Sequence, residues 1–165
     1  MSRSGYTDED ENNTFGLWRG AVASAIRGKR GQSMLRELAS ALDDLPEKRL
    51  ASESLVNEDG EFCTLGALGR KRGLDMTKID PDDRDEVAKA FGVADALAAE
   101  IMYMNDEYFC DYEWVKVEIC GPVRPNYPEY GSHIVDRRVL KSNVNEKRWI
   151  FMREWVSKNL KLVAV

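Results

Sequence analysis

The chain has 165 residues, of which 43% are hydrophobic and 9% aromatic, and it carries a formal net charge of −5. This length and composition are typical of one folded domain with a substantial core, and they exclude a chain that is disordered throughout. The acidic balance argues against a dedicated nucleic-acid binder and favours a basic partner, if the partner is charged.

The N-terminal part of the chain is predicted to be a flexible acidic tail over residues 1–13, because four consecutive acids at positions 8–11 offer no apolar face. Residues 14–165 are predicted to form a single globular domain. Its first helix begins near Phe15 and ends at Gly28, with apolar side chains at three- and four-residue spacing. A second helix follows a loop over residues 28–31 and runs to about Leu45, before Pro46.

The middle of the chain alternates turn signals with short apolar runs. Residues 52–65 suggest a small hairpin with an Asp-Gly turn, and residues 66–72 favour a short helix that ends at Gly73. The next helix is predicted to start within residues 80–86, with Pro81 at its first helical position.

Residues 85–106 have the spacing of a helix-turn-helix motif, with Gly92 in the turn. The second helix of this pattern contains no Lys or Arg, and its charged residues are Asp95 and Glu100. Because carboxylates repel a phosphate backbone, we interpret the segment as two helices packed at a tight glycine turn and not as a DNA reader.

In the C-terminal third of the chain the residue pattern changes from helical spacing to the alternation of strands. Residues 112–120 and 134–140 alternate and are rich in β-formers, which predicts a hairpin at about 112–140 joined by a stiff, proline-rich loop. A closing helix over 145–160 is predicted to start at a capping Asn145 and to turn Arg148 toward solvent. The predicted fold is mainly α, or α+β by a strict count, as a compact helical domain of five or six helices with one hairpin. The predicted core contains Trp18, Val22, Leu35, Leu38, Leu42, Val87, Phe91, Leu97, Ile101 and Trp155.

Few residues are suited to catalysis or metal binding. The chain has one histidine, His133, without a serine elbow or cysteine near it in sequence, so a catalytic triad is poorly supported. The three cysteines, at positions 63, 110 and 120, match no zinc-ligand spacing and suit a reducing compartment. Carboxylates at positions 106, 107 and 111 are an alternative site for a divalent cation. We therefore predict no enzyme activity, no cofactor and no resident metal.

Two basic glycine loops, RGKRG at 27–31 and GRKRG at 69–73, form an alternative anion-binding site. Neither is a Walker or dinucleotide fingerprint, and cations are also favoured at helix C-termini by the helix dipole. The residues of this alternative are Lys29, Arg30, Arg70, Lys71 and Arg72.

A resemblance adds a biological setting. The segments RGKRGQSMLRELASALDDLPEKRL, NEDGEFCTLGALGRKRG, VAKAFGVADALAAEIMYMNDE and EKRWIFMREWV resemble a family of small uncharacterised proteins that bacteriophages and prophages of proteobacteria encode. The resemblance implies a phage origin and action in the host cytoplasm, and it implies no catalytic residues. The polar N-terminus, which is unlike a signal peptide, and the absence of an apolar run of roughly 20 residues also predict a cytoplasmic protein without a membrane partner.

Small phage proteins without catalytic motifs often act by binding and blocking another protein. The leading hypothesis is therefore a non-enzymatic interaction protein that binds a host or phage protein, such as an inhibitor of a CRISPR complex. Its candidate acidic surface is Asp80, Asp82, Asp83, Asp85 and Glu86, and a second candidate is the hairpin loop with Arg124, Tyr127 and Tyr130. The alternative is a nucleic-acid-binding accessory protein that uses the basic loops. An exposed hairpin edge also offers a pairing site to a second copy, so a homodimer is a further expectation.

Overall fold

The computed structural model describes residues 3–6, 15–120 and 132–161. These residues contain six α-helices and one antiparallel hairpin, so the prediction of a mainly α fold is confirmed. The helices are α1 (Phe15–Arg27), α2 (Lys29–Asp43), α3 (Thr64–Arg72), α4 (Arg84–Phe91), α5 (Asp95–Tyr103) and α6 (Val144–Asn159), and the strands are β1 (Tyr112–Cys120) and β2 (Ser132–Leu140). A 3₁₀ turn (Met76–Lys78) precedes α4, and a π-helical turn (Met104–Tyr108) continues α5.

The chain divides into two compact units. The helical unit contains the described residues up to Phe109 and those from Asn145 onward, and the hairpin unit is Cys110–Val144.

The core of the helical unit follows the predicted apolar spacing. Eight of the ten predicted core residues are at most 1% exposed, while Trp18 and Trp155 are half-buried. The indole Nε1 of Trp18 donates a hydrogen bond to the Tyr6 hydroxyl. A large ring with a polar atom is commonly covered on one side only.

The junction of α1 and α2 is tighter than predicted. Gly28 is the single residue between the two helices, so the predicted loop over residues 28–31 is wrong and most of it forms the first turn of α2. A Cβ at Gly31 would lie 1.9 Å from the carbonyl oxygen of Ala25, so glycine permits this close approach. The basic residues of this loop therefore stand on a helix.

The predicted first residue of α4 and the predicted small hairpin also differ from the structure. Helix α4 begins at Arg84, because the Asp83 side chain accepts hydrogen bonds from the amides of Asp85 and Glu86, and Pro81 lies in the preceding turn. The small hairpin predicted at 52–65 is reduced to one bridge between Val56 and Phe62.

The prediction that Arg148 of α6 faces solvent is wrong. This side chain is 1% exposed, and its Nη1 donates to the Leu50 carbonyl and to Asn145 Oδ1, both at 2.8 Å. Its guanidinium lies over the Phe109 ring at 5.3 Å. Asn145 is inside the first turn of α6 and binds Arg148 and Glu61 instead of capping the helix. A buried arginine is stable here because its charge meets oxygen acceptors and an aromatic face.

The N-terminal segment contributes side chains to the helical unit. Arg3 and Ser4, which fall within the predicted tail, are 8% and 0% exposed. Arg3 forms an ion pair with Asp106 at 2.9 Å, and the Ser4 hydroxyl donates to Glu107 at 2.7 Å. Residues 3–6 thus depart from the flexible segment that the acidic run predicts, and the acids at 8–11 lie outside the described residues.

The packing of α4 and α5 agrees with two helices joined at a tight turn. Gly92 ends α4 with a positive φ of 61°, and residues 97–102 of α5 are all buried. Six consecutive buried residues make α5 a core helix.

Candidate interaction surfaces

The acidic ridge, defined as Asp80, Asp82, Asp83, Asp85 and Glu86, lies at the start of α4, and all five residues are exposed. Two of its members hold the local backbone. Asp80 Oδ1 accepts from the Asp82 amide at 2.9 Å, and Asp83 Oδ1 accepts from the amides of Asp85 and Glu86 at 3.0 Å. The carboxylates of Asp82, Asp85 and Glu86 have no such role and project from the cap.

Little of the ridge's negative charge is paired with a cation in the described part of the chain. Among the described residues Asp82 and Glu86 take part in no ion pair, and Asp85 approaches the guanidinium of Arg84 at 3.7 Å. Arg84 is itself half-buried, with its Nη1 donating to the Ser4 carbonyl at 3.3 Å and its guanidinium over the Trp18 ring. The ridge therefore presents negative charge to solvent.

The second basic loop is engaged within the fold. Arg72 binds Glu37 through two hydrogen bonds of 2.8 and 2.6 Å and also donates to the Phe91 carbonyl at 2.7 Å. The hydrogen bonds from Arg72 hold the pKa of the Glu37 carboxyl below its usual value. Lys71 pairs with Asp44 at 2.6 Å.

The first basic loop, residues 27–31, also reaches the carbonyl groups at the end of α4. Arg30 Nε donates to the Gly92 carbonyl at 3.1 Å, next to the Phe91 carbonyl that Arg72 binds. The fold thus brings both loops to the C-terminal end of α4, where cations are favoured by the helix dipole. In the described part of the chain Lys29 and Arg70 are exposed and take part in no ion pair.

A cavity of about 220 Å³ lies beside the first loop. It is lined by the first turn of α2, including Lys29 and Arg30, and by Gly92–Ala94 before α5. Neither α2 nor α5 has a side chain that caps its N-terminus. This arrangement is the strongest feature in favour of anion binding.

A buried polar cluster that sequence reasoning missed joins α1, α5 and the N-terminal segment. The Arg19 guanidinium binds the Glu100 carboxylate through two hydrogen bonds of 2.8 and 2.9 Å, and the Glu100 side chain is 5% exposed. The Tyr6 hydroxyl donates to Glu100 at 2.6 Å. Burial, together with this bond, raises the pKa of Tyr6, so the phenol remains a donor. The signal available in the sequence was one acid within the apolar run of α5.

The hairpin pairs residues in a regular register. Tyr112 lies opposite Leu140, Trp114 opposite Arg138, Lys116 opposite Asp136, and Glu118 opposite Ile134. Because directly paired residues share a face, these four pairs form one surface, which we call the tryptophan face. On it Trp114 is 71% exposed, Ile134 68% and Leu140 58%. On the opposite face Val115, Val117, Val135 and Val139 are half-buried.

Only some of the remaining predicted residues lie within the described part of the chain. The loop residues Arg124, Tyr127 and Tyr130 lie outside the described residues, as do the side chains of Cys120 and His133. Cys63 is buried, which raises the pKa of its thiol, and Cys110 is exposed.

Two of the carboxylates predicted as an alternative cation site are engaged by the N-terminal segment. Asp106 and Glu107 hold Arg3 and Ser4, and Asp111 belongs to the hairpin unit. The described residues contain no group of three or more His, Cys, Asp or Glu side chains that could hold a metal ion.

No helix among residues 3–6, 15–120 and 132–161 is long and apolar enough to cross a membrane. Comparison of the chain with protein-family models, curated proteins and solved structures finds no match. A functional assignment therefore depends on the surfaces described above.

Proposed function

We propose that this chain is a non-enzymatic interaction protein whose acidic ridge binds a basic surface of a partner protein. The supporting observation is the different use of the two kinds of charge. All five ridge acids are exposed, and Asp82 and Glu86 take part in no ion pair among the described residues. Of the exposed cations in the basic loops, Lys71 and Arg72 form ion pairs within the fold. Charges that are exposed and unpaired attract an oppositely charged partner more strongly than charges that already have a partner.

The ridge also has a rigid base. Asp80 and Asp83 fix the backbone through their capping hydrogen bonds, so Asp82, Asp85 and Glu86 are displayed from an ordered helix start. A preorganised surface loses less conformational entropy on binding than a flexible acidic segment does.

The biological setting of the proposal is taken from the resemblance to phage and prophage proteins. A phage protein in the host cytoplasm that presents carboxylates on a rigid surface can occupy a basic channel meant for nucleic acid. The proposed activity is therefore modulation of a host or phage protein, with counter-defence against a nucleic-acid-guided complex as its specific form.

Reversal of the three ridge acids that accept no backbone hydrogen bond among the described residues tests this proposal. We expect the triple variant Asp82→Lys, Asp85→Lys, Glu86→Lys to weaken partner binding by roughly 100-fold or more, because like charges would then face each other. The partner is first identified by tagged pull-down from infected cells with mass spectrometry, before and after nuclease treatment. Affinity is then measured by calorimetry at low salt.

The matched control is Glu47→Lys, Glu58→Lys, Asp59→Lys, which changes the net charge by the same amount at three other exposed acids. Asp80 and Asp83 are left intact in both variants, since their loss would damage the start of α4. Equal binding by the ridge variant and the wild-type chain would contradict the proposal. Partners that vanish with nuclease would favour the second candidate.

The second candidate is nucleic-acid binding by the two basic loops, and the cavity between the starts of α2 and α5 favours it. The double variant Lys29→Ala, Arg70→Ala removes two exposed cations that form no ion pair among the described residues. If this function holds, we expect the slope of log affinity against log salt to fall by about two for a labelled DNA duplex. The matched control is Arg36→Ala, Lys158→Ala, and an unchanged slope in the first variant would exclude the loops.

A further inference from the structure

The tryptophan face of the hairpin combines exposed apolar side chains with two uncompensated charges. Trp114, Ile134 and Leu140 are each more than half exposed. Lys116 and Asp136 are cross-strand neighbours at its centre, yet neither takes part in an ion pair within the described residues. The face therefore combines a hydrophobic surface with one cation and one anion at its centre that form no ion pair within the described residues.

Arg138, in the neighbouring cross-strand pair with Trp114, is oriented by an aromatic contact. The Arg138 guanidinium lies over the Tyr112 ring at 4.1 Å, on the diagonal of the sheet, and leaves the indole of Trp114 uncovered. Tryptophan, tyrosine and arginine are the side chains most often found at the energetic centre of protein interfaces.

The order of the pairs makes this face complementary to itself. When two such faces meet around a two-fold axis parallel to the strands, each β1 residue of one copy lies opposite its own cross-strand partner in the other copy. Lys116 then meets Asp136 of the second copy, and Trp114 covers Arg138 of the second copy. By the same rule Tyr112 meets Leu140 of the second copy at one end of the face, and Glu118 meets Ile134 of the second copy at the other end.

We propose that the tryptophan face is a self-association surface whose occupant is a second copy of this chain. The charges select this occupant because a face with one cation and one anion at its centre is neutral and matches its own two-fold image. Nine residues per strand give a face about 30 Å long and about 10 Å wide, so two copies bury roughly 600 Å². This area is below that of a standard interface, so we expect a weak dimer with a Kd on the order of 100 μM.

The first test is sedimentation velocity of the full chain over a concentration range that reaches 1 mM. Trp114→Ala is expected to weaken self-association at least tenfold. The matched control is Leu17→Ala, since Leu17 of α1 is 77% exposed and lies outside the hairpin. A monomer at every concentration, or equal weakening by both variants, would overturn the proposal.

A mixing experiment identifies the second copy directly. Lys116→Asp places two acids at the centre of the face, and Asp136→Lys places two bases there, so each variant alone is expected to remain monomeric. In an equimolar mixture each acid meets a base of the other copy, and association is expected to return to the wild-type level. Folding of each variant is checked by circular dichroism. Association of the two variants in the mixture would also show that both are folded. A mixture of two folded variants that stays monomeric, or single variants that still dimerise, would show that edges or other surfaces make the contact.

Discussion

Replacement of Gly66 by alanine is expected to destabilise the helical unit by about 3 kcal/mol or more. A Cβ at this position would lie 1.9 Å from the carbonyl oxygen of Leu55 and 2.9 Å from its carbonyl carbon. Both atoms belong to the backbone, so no side-chain rotation relieves the overlap. The segment around Leu55 would have to move away from α3, which would expose the buried Leu55 side chain. Urea unfolding monitored by circular dichroism measures the loss.

The control for Gly66 is Gly20→Ala. Gly20 is an exposed residue inside α1, and a Cβ at this position would have no heavy atom within 4 Å apart from its chain neighbours and the backbone of α1 itself. Because alanine loses less backbone entropy than glycine in a helix, this variant is expected to gain about 0.5–1 kcal/mol. Opposite signs for the two substitutions would identify the contact with Leu55, and not helix propensity, as the cause. A wild-type free energy of unfolding for Gly66→Ala would contradict the close approach.

The parts of the fold that follow from local periodicity could be predicted from the sequence. The apolar spacing in α1, α2, α4 and α5 correctly identified Val22, Leu35, Phe91 and Ile101 as core residues, since a helix aligns positions three and four residues apart. The alternation at 112–120 likewise predicted a strand with the bounds of β1. These predictions need no knowledge of the partner element.

The predictions that failed depend on partners distant in sequence. Arg148 has the place of a solvent-facing cation on α6, but its carbonyl acceptor is Leu50, 98 residues away. Periodicity describes which face a residue occupies and carries no information on an acceptor buried elsewhere. The first helical residue of α4 was predicted wrongly for a different reason. The Asp83 side chain caps this helix, so it begins at Arg84 and not at Pro81.

The charged surfaces also combine features that local sequence predicts with features that depend on distant partners. Exposure of the acidic ridge could be expected from a run of adjacent acids next to a proline. The internal pairing of the basic loops could not, because Arg72 meets Glu37 and Lys71 meets Asp44 at separations of 35 and 27 residues. The sequence therefore identified the candidate charges, and the tertiary contacts determine which of them face a partner.

Substitution of Arg19 by methionine is expected to destabilise the chain by about 2–3 kcal/mol, because it leaves the buried Glu100 carboxylate without its cation. Glu100 would retain the hydroxyl of Tyr6 as a donor and lose two hydrogen bonds from Arg19. The Arg19 side chain is 40% exposed, so the expected cost is lower than for a fully buried pair. Arg36→Met, at an exposed arginine of α2, is the control and is expected to change stability by less than about 0.5 kcal/mol.

A double-mutant cycle separates the ion pair from the packing of the arginine stem. Glu100→Gln keeps an acceptor for Tyr6 and leaves a partly exposed arginine that water can solvate, so we expect it to cost about 1 kcal/mol. In the Glu100→Gln background, Arg19→Met is then expected to cost less than about 1 kcal/mol, which gives a coupling energy of roughly 2 kcal/mol. A coupling near zero would mean that Arg19 stabilises α1 through its apolar stem alone. A coupling of the expected size would mean that this buried pair fixes α1 and the N-terminal segment on α5, the core helix of the unit that displays the acidic ridge.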